Sequence, residues 1–191
     1  MASTKPGERK LQILQTLASM LENPKGEKIT TAALAARVEV SEAALYRHFA
    51  SKAQMFEGLI EFIETSIFGL INQISDQQED GLLQAQAIIQ MLLNFAERNP
   101  GMTRVLIGDV LVNEDERLQL RMNQLAERID MAFRQSLRLA ASQGHLPETE
   151  AAPRASMLCS FILGRWMRFA KTGFKQLPTE QATIQIAMLL R

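Results

Sequence analysis

The sequence contains few of the residues from which catalytic and metal sites are usually built. Among 191 residues there are one cysteine, Cys159, and two histidines, His48 and His145. A single cysteine excludes an internal disulfide, and neither histidine stands in a spacing with cysteine, serine or carboxylates that is typical of catalysis or metal binding. No glycine-rich phosphate loop is present. The sequence therefore predicts a protein that is not an enzyme and that needs no metal or cofactor.

Long uncharged apolar runs are absent as well. A membrane-spanning helix needs about 18 or more such residues in succession, and no stretch of the sequence provides them. The first ten residues have no apolar segment of the kind found in signal peptides. We therefore expect no membrane span and a cytoplasmic location.

The chain contains equal numbers of basic and acidic residues, but the two kinds are unevenly distributed along the sequence. Residues 1–52 contain eight Lys and Arg against five Asp and Glu, whereas the remainder contains 13 against 16. A basic first part followed by an acidic remainder is typical of a DNA-facing head on a larger body. The imbalance is modest, so charge alone does not identify a nucleic-acid-binding protein.

Apolar residues recur at intervals of three and four along almost the entire chain, without the sustained alternation of strands. This spacing predicts an all-α protein. Breaks such as Asn99-Pro100-Gly101 separate the helices, because proline lacks an amide hydrogen and glycine adopts turn conformations readily. The predicted helices cover about residues 8–22, 31–37, 41–47, 52–74, 82–98, 103–112, 114–141, 148–172 and 179–190.

Two short predicted helices between Thr30 and Phe49 have the layout of a helix-turn-helix. Threonine and serine can cap their first turns, and Leu45 and Phe49 of the second helix face inward. The opposite face then carries small and polar side chains that can approach phosphates and bases. We predict DNA contacts from Thr30, Thr31, Ser41, Ala43, Ala44, Tyr46, Arg47, His48 and Lys52. Periodicity alone fits an ordinary pair of core helices equally well.

A ridge of small side chains is predicted near the C-terminus, because Ala152, Ser156, Ser160 and Gly164 recur every four residues. Such a ridge lets two helices approach closely, and Trp166 beside it offers a large apolar area. We predict that these five residues lie in a two-fold dimer interface, with burial inside the monomer as the alternative. Cys159 lies in an apolar run of the same helix, which predicts a buried thiol.

The motif resembles the DNA-binding segment of the TetR family. The resemblance rests on Val40-Ser41, on Leu45-Tyr46-Arg47-His48-Phe49 and on Ser51-Lys52. It implies an N-terminal three-helix head that contains the helix-turn-helix, over residues 1–52. It also implies a C-terminal helical bundle for dimerisation and regulation, over 53–191. Members of the family usually have glycine where this chain has Glu39, and a non-glycine residue in a left-handed turn costs on the order of 1 kcal/mol.

Further segments, Ile29–Ala32, Leu59–Glu64 and Glu97–Gly101, resemble the members of this family that act in nucleoid occlusion. This resemblance implies a nucleoid-associated homodimer that binds palindromic double-stranded DNA. It also implies that the DNA-bound protein binds the division GTPase FtsZ and inhibits septum formation over the nucleoid. The implied FtsZ surface consists of Phe62, Met91, Asn94, Arg98 and Asn99.

The residues themselves leave alternatives open at this surface. Phe62 lies at the edge of an apolar stripe, where it is either an exposed contact or the border of the core. Arg98 ends its helix, where a cation also stabilises the helix dipole. Most TetR-like proteins are transcriptional repressors that respond to a small ligand, and an interior rich in Ile, Leu and Met fits either a ligand cavity or a solid core.

Overall fold

The computed structural model describes residues 6–23 and 29–191, and within those ranges it contains α-helices and no strands. The predicted all-α class is therefore confirmed. The helices are α1 (Pro6–Leu21), α2 (Thr31–Arg37), α3 (Glu42–Tyr46), α4 (Lys52–Gln77), α5 (Gly81–Arg98), α6 (Pro100–Leu106), α7 (Glu116–Ser142), α8 (Glu148–Lys171) and α9 (Ala182–Leu189). No helix of these ranges is long and apolar enough to cross a membrane.

Helices α1 to α3 form the head around a small apolar core. Leu17 of α1, Leu34 of α2 and Leu45 of α3 are all buried in it. The first half of α4 closes this core, because an added Cβ at Gly58 would lie only 3.0 Å from the Phe49 ring. Helix α4 also packs against α5 and α7 of the body. The boundary at residue 52 therefore falls at the start of a helix that belongs to both parts, and it stays a prediction.

The body is a bundle of α4, α5, α7 and α8, with the most extensive packing between α7 and α8. Trp166 of α8 lies at its centre with 0% exposure, and its indole nitrogen donates to the Leu92 carbonyl of α5 at 3.1 Å. The prediction that Trp166 lies in a dimer interface is wrong, because this hydrogen bond and full burial direct the ring into its own chain. Cys159 is buried as predicted, and desolvation, aided by the charge of Asp130, raises the pKa of its thiol to about 11.

Helix α6 joins the head to the body. It begins at Pro100 rather than near residue 103, because proline is well tolerated in the first turn of a helix, and it ends at Leu106. A Cβ at Gly101 would lie 2.0 Å from the Ala18 carbonyl oxygen of α1, so only glycine allows this approach. Arg104 donates to the Leu21 and Asn23 carbonyls at the end of α1 and to Asp109. Lys171 of α8 donates to the same carboxylate.

The turn between α2 and α3 has the expected left-handed residue, since Glu39 has φ = 58°. A glycine at this position relieves the contact between Cβ and the backbone, although it also increases the entropy of the unfolded chain. We expect Glu39→Gly to raise the free energy of unfolding by about 1 kcal/mol. Urea denaturation at a fixed protein concentration measures the change.

Glu39→Ala is the matched control, because it removes the carboxylate and keeps the strained conformation. It should give no comparable gain. Equal stabilities of the glycine and alanine variants would contradict the attribution of strain to this turn.

Candidate nucleic-acid interface and partner surface

Hydroxyl caps begin both helices of the helix-turn-helix. The Thr30 hydroxyl accepts a hydrogen bond from the Ala33 amide, and the Ser41 hydroxyl accepts one from the Ala44 amide, each at 3.1 Å. Both cap residues are exposed. A hydroxyl that accepts a hydrogen bond keeps its own hydrogen, so each of these groups can also donate to a phosphate oxygen.

Helix α3 has the inner and outer faces that the sequence predicts. Leu45 and Phe49 point into the head core, whereas the Tyr46 side chain is 44% exposed. Ala43 and Arg47 are exposed, and Ala44 and His48 are partly so. An outer face of small and polar side chains allows a helix to approach base edges in the major groove. The structure therefore brings most of the predicted DNA contacts onto one surface.

A chain of hydrogen bonds joins α2 and α3 on this outer surface. The Thr31 hydroxyl donates to the Glu42 carboxylate at 2.8 Å, and the Tyr46 hydroxyl donates to the Thr31 oxygen in a longer contact of 3.4 Å. Sequence reasoning selected Thr31 and Tyr46 but missed Glu42. The pairing joins residues 11 positions apart on two different helices. A pattern of neighbouring residues in the sequence therefore does not predict it.

Lys52 is less available than predicted. Its ammonium forms an ion pair with Glu114 from the segment before α7 and lies 5.7 Å from the centre of the Phe56 ring. Both ionic side chains are partly buried. Lys52 therefore links the head to the body, and a contact with a phosphate requires it to leave Glu114.

The five residues of the implied partner surface differ in exposure. Phe62 is 37% exposed on α4, so it lies at the border of the core with part of its ring in solvent. Arg98 is exposed at the end of α5, whereas Met91 and Asn94 are half-buried on that helix. Asn99 is also half-buried, and its side-chain amide donates to the Phe95 carbonyl at 2.7 Å. Phe62 and Arg98 are the members that offer the most accessible side chains.

The small-residue ridge of α8 is accessible along its length. Ala152, Ser156, Ser160 and Gly164 are all exposed, in contrast to Trp166 on the buried side of the same helix. Helix α9 adds two large apolar side chains, since Ile184 is 62% and Met188 63% exposed. The C-terminal helices thus present a face of small and apolar groups that nothing within the described chain covers. Across residues 6–23 and 29–191, no cluster of three or more His, Cys, Asp or Glu is arranged to hold a metal.

Two family profiles match the sequence. One, described as bacterial regulatory proteins of the tetR family, matches residues 27–59. The other, described as a tetracyclin repressor-like C-terminal domain, matches residues 79–191. The first includes the helix-turn-helix, and the second includes the whole of α5 to α9.

The chain is similar over nearly its full length to proteins named nucleoid occlusion factor SlmA. The relative from Alteromonas mediterranea is 47% identical over 98% of this chain and 96% of its own. The relative from Idiomarina loihiensis is 49% identical over 93% and 91%, and that from Vibrio vulnificus is 50% identical over 94% and 93%.

Solved structures of other regulators share the fold at low sequence identity. The fatty acid degradation regulator FadR from Bacillus halodurans matches 98% of this chain and 97% of its own, with a TM-score of 0.80 and 14% identity. A TetR-family regulator from Agrobacterium tumefaciens covers 97% of both chains, with a TM-score of 0.79 and 18% identity. The FadR of Bacillus subtilis, solved with stearoyl-CoA, has a TM-score of 0.76 over 94% and 97% at 12% identity. These likenesses concern the fold.

The ion pair between Lys52 and Glu114 generates a prediction for DNA binding. We expect Glu114→Gln to strengthen binding severalfold at low salt, because the carboxylate no longer competes with phosphates for Lys52. Lys52→Gln should weaken binding, and the double variant should behave like Lys52→Gln. Fluorescence anisotropy with labelled duplex measures all three affinities. Weaker binding by Glu114→Gln would contradict competition and indicate that the ion pair orients the head.

Proposed function

The chain belongs to the tetR family of bacterial regulatory proteins, and from this membership we propose that it is a DNA-binding nucleoid occlusion factor that acts as a homodimer. The observation that carries the proposal is the match to relatives named nucleoid occlusion factor SlmA, which extends over both head and body at nearly half of all positions. In this role the protein has no catalytic activity and is located at the nucleoid.

The helix-turn-helix is the DNA-binding element in this proposal. The second helix of such a motif lies in the major groove, and its first residues contact base edges. The Thr30 and Ser41 hydroxyls then contact phosphates, Arg47 and His48 add polar groups, and Ala43 approaches the thymine methyl. Lys52 joins the phosphate contacts once it is released from Glu114. Support comes from the shared outer surface that these side chains occupy.

A dimer through α8 and α9 accounts for the uncovered face at the C-terminus. Two ridges of small side chains related by a two-fold axis can pack closely, with Ile184 and Met188 buried at the edges. The two heads can then contact half-sites of a palindrome about one turn of DNA apart, roughly 34 Å. Simultaneous contact with both half-sites of a palindrome therefore requires the dimer.

FtsZ is the proposed protein partner. The surface would be formed by Phe62 on α4, with Met91, Asn94 and Arg98 on α5 and Asn99 beyond it. Aromatic residues and arginine are enriched among energetically important interface residues, and Phe62 and Arg98 are both accessible. Binding in the DNA-bound state would confine division inhibition to regions that contain chromosomal DNA.

A repressor controlled by a small ligand is the alternative, and the packing between α5 and α8 argues against a ligand cavity in that part of the body. Ligand sites in proteins are cavities of roughly 300–1,000 Å³ lined largely by apolar side chains. Ile89, Leu92, Ile162 and Trp166 between α5 and α8 are 0% exposed, so no space large enough for water adjoins them. This part of the bundle is a solid core.

The proposed interface predicts the effect of a charge on the ridge. We expect Ser160→Glu to weaken dimerisation at least tenfold, because the two-fold axis would bring two carboxylates together in an apolar contact. Sedimentation equilibrium measures the dissociation constant. Gln73→Glu on the exposed side of α4 is the control and should leave the dimer intact. An unweakened Ser160→Glu dimer would place the interface elsewhere on the chain.

Co-sedimentation with FtsZ filaments tests the partner function. We expect the protein to pellet with filaments more strongly when it is bound to a palindromic duplex that it has itself selected from random-sequence DNA. Phe62→Ala and Arg98→Ala should each reduce this binding about tenfold while affinity for the duplex is retained.

Arg138→Ala removes an exposed arginine from α7 and is the matched control. It should sediment with FtsZ like the unchanged protein. Absence of FtsZ binding both with and without DNA would overturn the division role and leave a DNA-binding regulator.

A further inference from the structure

The hydrogen-bond chain on the outer surface of the head has a direction. Tyr46 donates its hydroxyl hydrogen to Thr31, Thr31 donates its own to Glu42, and the Glu42 carboxylate only accepts. The donors of Thr31 and Tyr46 are therefore already engaged within the protein. What the network offers outward is the acceptor capacity of an exposed carboxylate.

An acceptor at this position does not match a phosphate. Phosphate oxygens are themselves acceptors and carry negative charge, so a nearby carboxylate repels them. Glu42 is the first residue of α3, and the first residues of the recognition helix are those that meet base edges in the major groove. The groups there that can donate to a carboxylate are the amino groups of cytosine and adenine.

Cytosine fits better than adenine. Adenine presents an acceptor, N7, directly beside its amino group, whereas cytosine presents its N4 amino group without a neighbouring acceptor of its own. We propose that Glu42 is a specificity residue, held by Thr31 and Tyr46, that selects cytosine at one position of each DNA half-site. This inference rests on the proposed DNA-binding function of the same surface.

A specificity role for Glu42 differs from simple helix stabilisation in the property that it changes. A glutamate in the first turn interacts favourably with the helix dipole whatever sequence lies opposite. Such a role changes the stability of the head but not the order of preference among bases. A specificity role changes the preference at one position and leaves the others unaltered.

Selection of binding sites from random-sequence duplexes, followed by affinity measurements on single-position variants of the selected site, tests the proposal. The unchanged protein should prefer cytosine at one position of each half-site by about tenfold or more. Glu42→Ala should lose that preference and bind the disfavoured duplexes more tightly, because the repulsive charge is gone. Glu42→Gln should move the preference toward adenine, since a side-chain amide can pair with both N6 and N7.

Three further variants complete the test. Glu39→Gln removes an exposed carboxylate from the neighbouring turn and should change affinity equally for all sequences. Thr31→Val should weaken the cytosine preference, whereas Thr31→Ser, which keeps the hydroxyl, should retain it. A Glu42→Ala variant that selects the same site as the unchanged protein overturns the inference while DNA binding stands. Failure of the unchanged protein to bind any duplex overturns both.

Discussion

The close contact of α6 with α1 is the constraint that fixes the position of the head on the body. Gly101 has no side chain, and only for that reason can α6 lie against the Ala18 carbonyl. Three residues later, the Arg104 guanidinium holds the carbonyls that end α1, where a cation also complements the helix dipole. The head is thereby fixed to the body through backbone groups, which cannot move independently of the helices that carry them.

Asp109 extends this contact into the bundle. Its burial alone would raise its pKa, but the hydrogen bonds and charges of Lys171 and Arg104 outweigh that effect and lower it. The carboxylate thus stays charged between a cation of α6 and a cation of α8. Helix α8 also carries the ridge that we propose as the dimer interface. In that dimer, one short ionic path would join the end of α1 to the helix that sets the distance between the two heads.

Sequence reasoning recovered the features that depend on local chemistry. The caps of α2 and α3 and the buried pair Leu45 and Phe49 follow from residues a few positions apart. The left-handed Glu39 was expected from the family resemblance, because related proteins usually have glycine at this position. Trp166 was misassigned because its small neighbours recur along the helix while its hydrogen-bond partner, Leu92, is 74 positions away. Glu114 was missed for the same reason, since nothing near it in sequence indicates Lys52.

Helix α4 gives a physical reason for one chain to combine a DNA-binding head with the partner surface that we propose. It starts at Lys52 beside the head, and Phe62 follows ten residues later, about 15 Å along the same helix. The stripe from Met55 to Ile71 is buried along this length, so the helix can shift only as one body with the core that it contacts. If DNA draws Lys52 away from Glu114, the constraint on the first turn of α4 changes, and a rigid helix transmits that change to Phe62. A flexible linker between head and body would not transmit the change at Lys52. The continuity of α4 through both parts is therefore the feature that best fits a partner surface that depends on DNA.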